Sequence, residues 1–477
     1  MRAESLEFSA AARANLKKPA LQQSLARIPI KFVRGRTDAA AAFGDFEALR
    51  DAGQAIRDAV LANLGHWLTE FERAAEARGV TVHWARDADE ACRIVAEIAR
   101  AGGVRTAVKS KSMVTEEIGL NAALGAAGVE VVETDLGEYV IQLANERPSH
   151  IVAPIIHKNR DEVADLFEAH HARDRQDPAW RDDIAGLCRE AREVLRPKFL
   201  QADMGISGAN FLIAETGSAM IVTNEGNGRL CTTLPRIHVA ITGIEKVVPT
   251  LDDAATLLRL LTRSATGQPI SNYVSLLTGP RDMGAAEGPE AMHVVLLDNG
   301  RAELLADEKL RPMLRCIRCG ACMNHCPVYQ SIGGHPYGWV YPGPMGSVLT
   351  PHFLGLEAAP DLPNAATLCG QCEVACPVKI PLPDMLRTLR ERQVEAQIKG
   401  WRERMAYRIW GWLALRPRLY RPMARVGAWL LNIVADDGQL SWLPGGWTTG
   451  RTFPAPAGET FQQRVARQRA QADWEAR

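Results

Sequence analysis

The sequence predicts an α/β protein with a largely parallel sheet, followed by a compact cysteine-rich region and a helical tail. Three observations carry this. Between residues 80 and 154, short β-rich runs alternate with helical stretches, as when strands are joined by crossover helices. Seven of the ten cysteines then fall in two tight motifs between Cys316 and Cys376. Past residue 390 the chain is rich in Trp and Arg, helical at first and irregular later.

Residues 1–60 read as an N-terminal helical segment. Phe46, Leu49, Ile56, Val60, Leu64 and Leu68 fall near helical spacing. The α/β domain spans residues 61–300. Within it, 80–85, 104–109, 129–133 and 150–154 read as strands, and 90–100 and 113–124 as helices. Residues 211–214, 219–224 and 237–242 also read as strands, in an antiparallel or mixed extension of the same sheet, with Asn224–Gly228 as a hairpin turn. The domain ends after the apolar run 294–297. The cysteine region covers 305–390. Its two motifs are separated by a Gly/Pro/aromatic stretch, 333–346, too rich in turn formers for long regular elements. The tail is 391–477.

Length and composition narrow the class. A chain of 477 residues exceeds one ordinary core and implies two or three domains. With 56 Lys+Arg and 56 Asp+Glu the net charge is zero, which argues against a general nucleic-acid binder. The first residues lack an apolar core followed by a small-residue cleavage site, so no secretory signal is expected. No run of roughly 18 apolar residues occurs, so no membrane-spanning helix is expected. The expected location is the cytoplasm, where clustered thiols read as metal ligands rather than disulfides.

The first motif is Cys316-Ile-Arg-Cys319-Gly-Ala-Cys322-Met-Asn-His-Cys326-Pro327. This C-x2-C-x2-C-x3-C-P spacing is that of bacterial ferredoxins. Three Cys wrap one cubane, and the fourth points to another cluster. The second motif, Cys369-Gly-Gln-Cys372-Glu-Val-Ala-Cys376-Pro377, lacks the first Cys and has Ala366 in its place. Crossed ligation then assigns Cys316, Cys319, Cys322 and Cys376 to a complete [4Fe–4S] site. Cys326, Cys369 and Cys372 are left for a second site, one thiolate short. That site is either a [3Fe–4S] cluster, as in the similar arrangement of succinate dehydrogenase iron–sulfur subunits, or a [4Fe–4S] cluster with a non-Cys ligand or an open iron. Cys231, His325 and His335 are remote candidates for the odd ligand. Zinc sites usually pair two C-x2-C units across a longer spacer, unlike this run of four Cys. Cys92, Cys188 and Cys231 read as ordinary buried thiols.

Elsewhere the signals are weaker. Lys109, Ser110, Lys111 and Ser112 follow a strand, at the sheet edge where α/β proteins bind ligands, and could hold a small anion. Against this stands a solvated turn capped by Ser112. Glu215 lies between two strand-like runs and is either catalytic or a turn carboxylate paired with a nearby base. No Gly-x-Gly-x-x-Gly opens a helix after a strand, so no nicotinamide or flavin site is expected. From Arg387 to Arg425 there are eleven Lys/Arg and three Glu, interleaved with Trp401, Trp410, Trp412 and Tyr420. Such a stretch suits docking to a partner subunit first, packing on its own domain second and peripheral membrane contact last.

The whole chain resembles the lactate utilization protein B family. Three features carry the resemblance: 202–218 (ADMGISGANFLIAETGS) continuing through 223–229 to 232–236, the segment 108–113 (VKSKSM), and the cysteine pair followed by the Trp/Arg tail. The resemblance implies a fold similar to ribose-phosphate isomerases and CoA transferases for the N-terminal domain, and an α-helical ferredoxin domain after it. It implies an iron–sulfur subunit of a bacterial L-lactate oxidation system. Companion subunits would be one Cys-rich protein and one related α/β protein. Electrons from lactate would pass through two clusters toward a further acceptor. Two other readings stay open: an enzyme with its own small-anion site near Lys109 and Glu215, and a peripheral membrane quinone-reductase module.

Overall fold

The structure, a computed structural model, describes residues 4–172, 178–271, 273–282, 284–398, 400–443, 448 and 451–475. Two units are distinguished, Met1–Gln393 and Val394–Arg477.

Ten strands lie in the first unit: β1 (Val80–Ala85), β2 (Thr106–Lys109), β3 (Glu130–Glu133), β4 (Met204–Ser207), β5 (Phe211–Ile213), β6 (Ser218–Thr223), β7 (Ile237–Gly243), β8 (Val247–Val248), β9 (Tyr273–Leu277) and β10 (Ala291–Leu297). Six of them pair in the order β1-β10-β7-β4-β2-β3. Every pairing in this sheet is parallel. Parallel strands are covered on both faces and so read as continuous apolar runs. Every residue of β7 is buried, as the central position requires. Ala88–Ala101 and Leu120–Ala126 cover one face through Ile94, Val95, Leu120 and Leu124. On the other face lie Leu64–Glu76 with Leu68 and Phe71, and Ile184–Gln201 with Leu187, Leu195 and Phe199.

The second sheet, β8-β5-β6-β9, is mixed: β5 pairs parallel with β8 and antiparallel with β6, and β6 pairs antiparallel with β9. It is a separate sheet, not an extension of the first. β7 belongs to the parallel sheet, contrary to the sequence expectation, because its flanks carry crossover helices rather than a tight turn. Asn224–Gly228 is not a hairpin turn. Gly226, at φ 81°, starts the helix Asn227–Thr233. Residues 150–154 form no strand. They are a turn folded around His150, whose Nδ1 accepts from the backbone N–H groups of Val152 and Ala153. The expected helix 113–124 is two helices, Met113–Glu117 and Leu120–Ala126, divided at Gly119 with φ 68°.

The cysteine region packs on the same unit and shares one hydrophobic cluster with the N-terminal helices. Arg50, in the helix Phe46–Ala62, donates to the Cys376 carbonyl at 2.7 Å, and Asn15 donates to the Ile332 carbonyl at 2.9 Å. A buried ion network joins the region to the sheet. Arg301 sits in the helix after β10 and is 1% exposed. It meets both oxygens of Glu117 at 3.0 and 2.9 Å and Glu245 at 2.7 Å. Tyr341, from the stretch between the cysteine motifs, donates to Glu117 at 2.5 Å. Glu117 follows β2 and Glu245 follows β7, so three strand ends and the inter-motif loop meet at one guanidinium.

In the second unit, Trp401–Ala414 and Pro417–Ile433 bury no residue, and Trp401, Trp410, Trp412 and Trp429 are exposed. Among the described residues, no helix is long and apolar enough to cross a membrane.

Removing one member of a buried pair leaves an uncompensated charge, at a cost of about 3–5 kcal/mol. Arg301→Met strands two carboxylates. Its unfolding free energy in urea should fall by about that amount, whereas Arg93→Met in an exposed helical pair should change it by under ~1 kcal/mol.

Candidate iron–sulfur centre

Both cysteine motifs fold alike. In the first, Arg318 is left-handed at φ 59° and Gly320 at φ 78°, and the short helix Ala321–Asn324 follows with Cys322 inside it. In the second, Leu368 stands at φ 57° and Gly370 at φ 83°, and Gln371–Ala375 follows with Cys372 inside it. Two left-handed residues flanking Cys319 or Cys369 curl the backbone so that successive thiols face one point. A side chain at Gly320 or Gly370 would be held in a backbone region that L-residues rarely adopt. Each motif ends in Cys-Pro, and the Pro turns the chain away.

The seven thiols divide between two cavities. Cys316, Cys319, Cys322 and Cys376 line one, walled by Met313, Ile317, Met345 and Leu382. Cys326, Cys369 and Cys372 line the other, with Ala366, Thr367 and Leu368 at its edge. Each cavity therefore draws on both motifs, in the crossed sets read from the spacing.

The environments differ. Burial pushes the Cys319 thiol up to about 12 and that of Cys376 to about 11, and it also raises the Cys322 thiol well above its usual value. A thiol this reluctant to ionise alone becomes a thiolate only beside a metal. The backbone N–H groups of Arg318 and Ile380 donate to the sulfurs of Cys316 and Cys376 at 3.4 Å each. Cations crowd this side. Lys246 donates to the Cys316 carbonyl at 3.3 Å, and Arg57, 1% exposed, donates to the Leu314 carbonyl at 3.0 Å. Arg318 lies over the Tyr341 ring and 3.7 Å from Glu245. Burial pushes Lys246 down to about 8. The second cavity is more open. Cys369 is exposed, and a hydrogen bond from Thr367 together with backbone N–H groups holds its thiol below the usual range. Burial still raises Cys372 to about 12. The donor sets fit iron–sulfur clusters: grouped free thiols, amides aimed at sulfur, and apolar walls.

Other expectations are corrected. Lys109 is not available to an anion. It is 1% exposed and paired with Glu116 at 2.6 Å and Glu133 at 2.7 Å. Glu215 is exposed and accepts from the Leu251 N–H at 3.0 Å, at the start of the helix Leu251–Thr266. No substrate site forms around this pair. Ser112 caps the helix Met113–Glu117, while Lys111 lines a different cavity. His325 bonds the Ala321 carbonyl and His335 the Arg147 carbonyl, and neither lines a thiol cavity. Cys231 is buried against Thr134, away from both cavities. Cys92 is half-buried and Cys188 exposed, so neither is the buried thiol expected. Sequence reasoning missed Arg57, Lys246, Glu117, Glu245 and Arg301. The one available signal was a charged residue inside an otherwise apolar run, as at Glu245-Lys246 after β7.

Comparison with known proteins agrees with this geometry. The LUD domain family matches residues 68–297, the 4Fe-4S dicluster domain residues 312–380, and the family "Lactate utilisation protein B, C-terminal" residues 386–470. Lactate utilization protein B of Lysinibacillus sphaericus is 42% identical over 469 residues, covering 97% of each chain. This chain belongs to the lactate utilization protein B family. The Geobacillus sp. protein of that name is also 42% identical, over 97% of each chain. An Escherichia coli relative described as "Uncharacterized electron transport protein YkgF" is 38% identical, covering 99% of this chain and 98% of its own. A solved DUF162 family protein from Deinococcus radiodurans matches 49% of this chain and 98% of its own at 14% identity and TM-score 0.28, too slight a likeness to bear on the fold. As a member of the lactate utilization protein B family with a 4Fe-4S dicluster domain, the chain serves lactate utilisation through iron–sulfur electron transfer.

In the iron-free protein at pH 8, iodoacetamide should alkylate Cys369 first among the seven thiols, ahead of the buried Cys319, Cys322 and Cys376. The exposed thiol has the lowered pKa, and the thiolate is the reacting form. Peptide mass spectrometry over time reads the order.

Proposed function

We propose that this chain is a two-centre electron-transfer subunit of an L-lactate-oxidising system, with electrons leaving toward a further acceptor. The division of seven thiols into a four-Cys and a three-Cys cavity carries the reading. Cys316, Cys319, Cys322 and Cys376 would hold a [4Fe–4S] cluster. Cys326, Cys369 and Cys372 would hold the second, a [4Fe–4S] or [3Fe–4S] cluster, with Ala366 and Thr367 where a fourth thiolate would stand. Bound there, the clusters supply one-electron carriage.

The protein's own residues make the two sites unequal. Arg57, Lys246 and Arg318 place buried positive charge beside the Cys316 cavity. Positive charge favours the more negative, reduced state, so this side is the electron sink of the pair. The exposed Cys369 makes the second cavity the contact point for an external donor or acceptor. Companion subunits, one Cys-rich and one a related α/β protein, would complete the system. The Trp-bearing helices of the second unit, Trp401–Ala414 and Pro417–Ile433, offer the docking surface, because exposed Trp and Arg are the residues interface cores favour.

Anaerobically purified protein should contain iron and acid-labile sulfide, with EPR signals from two centres. Cys319→Ser should abolish one signal and Cys372→Ser the other. Bound zinc without labile sulfide overturns the proposal. An oxidised-state three-iron signal that Cys372→Ser alone removes would assign the [3Fe–4S] form to the three-Cys site. Truncation after residue 395 should abolish co-purification with the companion subunits while the iron content stays. Loss of liposome co-sedimentation instead, with co-purification intact, would favour the membrane module.

A further inference from the structure

A cavity of about 280 Å³ in the first unit borders the four-Cys cavity, with Ile317 lining both. Its floor is the carboxyl edge of the parallel sheet: Ser110–Ser112 after β2 and Gly208–Asn210 after β4. From β2 the chain crosses outward to β3, and from β4 it crosses the other way to β7. Adjacent strands whose connections diverge leave a crevice between them, the usual ligand position in open α/β sheets. Ile317 and Arg318, from the first cysteine motif, close the other side.

Three cations line this space: Lys111, Lys246 and Arg318. Three buried cations, Arg57, Lys246 and Arg301, and the partly buried Arg318 stand here against two buried carboxylates, Glu117 and Glu245. Part of that surplus faces Cys316. Lys111 does not belong to that group. It reaches the Val152 carbonyl at 2.8 Å and sits among the cavity's own walls. Lys111 faces the carboxylates of Glu138 and Glu225, so the cavity holds a cation outside the set that surrounds the thiol site. The lining also carries Glu225 and Asp135, which disfavour a multiply charged anion such as phosphate. Asn224 and Asn227, which suit a hydroxyl or carbonyl oxygen, and apolar Ile221 and Ile241 complete it.

We infer that this cavity binds a small hydroxy- or oxo-carboxylate, its carboxylate held by Lys246 and Arg318 with Lys111 at the rim, beside the four-Cys site. The choice of carboxylate class rests on the lactate-utilisation reading above. The existence of the site does not. Of the loop that the sequence singles out for an anion, Ser110, Lys111 and Ser112 line this cavity, whereas Lys109 and Glu215 do not.

The test is isothermal titration of the anaerobically reconstituted full-length protein with L-lactate, pyruvate and inorganic phosphate. One carboxylate per chain should bind saturably, at least tenfold tighter than phosphate. Lys111→Gln should weaken that binding about tenfold while iron and sulfide content stay constant. Lys111 bonds the Val152 carbonyl beneath the cysteine loop, so binding is compared at matched iron and sulfide content. No saturable carboxylate binding, equal affinity for phosphate, or unchanged binding in Lys111→Gln overturns the inference. A preparation that binds carboxylate but lacks labile sulfide would keep this site and end the electron-transfer proposal.

Discussion

One buried guanidinium organises the first unit. Arg301 reaches Glu117 and Glu245 from the helix after β10, and Tyr341 and Arg318 bring the cysteine region to the same carboxylates. Buried carboxylates without partners are expensive, so their positions are set within the tolerance of charge-assisted hydrogen bonds. Glu245 responds by dropping to about 2, burial opposing and Arg301 and Lys246 dominating. The result is a fixed distance between the carboxyl edge of the sheet and the loop that carries Cys316 and Cys319. Both the four-Cys cavity and the larger cavity beside it depend on that spacing.

The cysteine region is a backbone repeat before it is a chemical one. Arg318 and Leu368, unlike in side chain, and then the two glycines Gly320 and Gly370 take matching left-handed conformations. The departure from symmetry lies in what surrounds each copy. The first motif is pressed against Arg57, Lys246 and the ion network, with Cys319, Cys322 and Cys326 buried and Cys316 partly so. The second exposes Cys369 and has Ala366 where a thiolate would complete the set. One thiol cavity is thereby enclosed and flanked by cations, and the other faces outward.

Local pattern carried much of the fold. β1 has the bounds its alternation indicates, and the pairs of strand and helix up to β3 stand within a few residues of their expected positions. The failures have physical causes. A fully buried parallel strand such as β7 has no alternation to mark its partners. The Gly-rich run at Asn224 suits a turn and a helix start equally, since a left-handed Gly serves both. Residues 150–154 are apolar because they pack under the cysteine loop, where Gly320 approaches Val152 and His150 closely, and not because they are extended.

The spacing of the cysteines by itself predicts a four-and-three grouping, because a cubane's corners admit few spacings, and the two thiol cavities are lined by those same sets. The sequence also determined the layering of helix and strand, through apolar periodicity. Only the tertiary structure decided which charged residues matter. Lys109 and Lys111 are two positions apart on one loop, yet one is neutralised by Glu116 and Glu133 and the other lines a cavity. Arg301 and Glu117 are far apart in sequence and touch. The strength of a charge depends on burial and on partners brought from distant segments, and neither is written in local spacing.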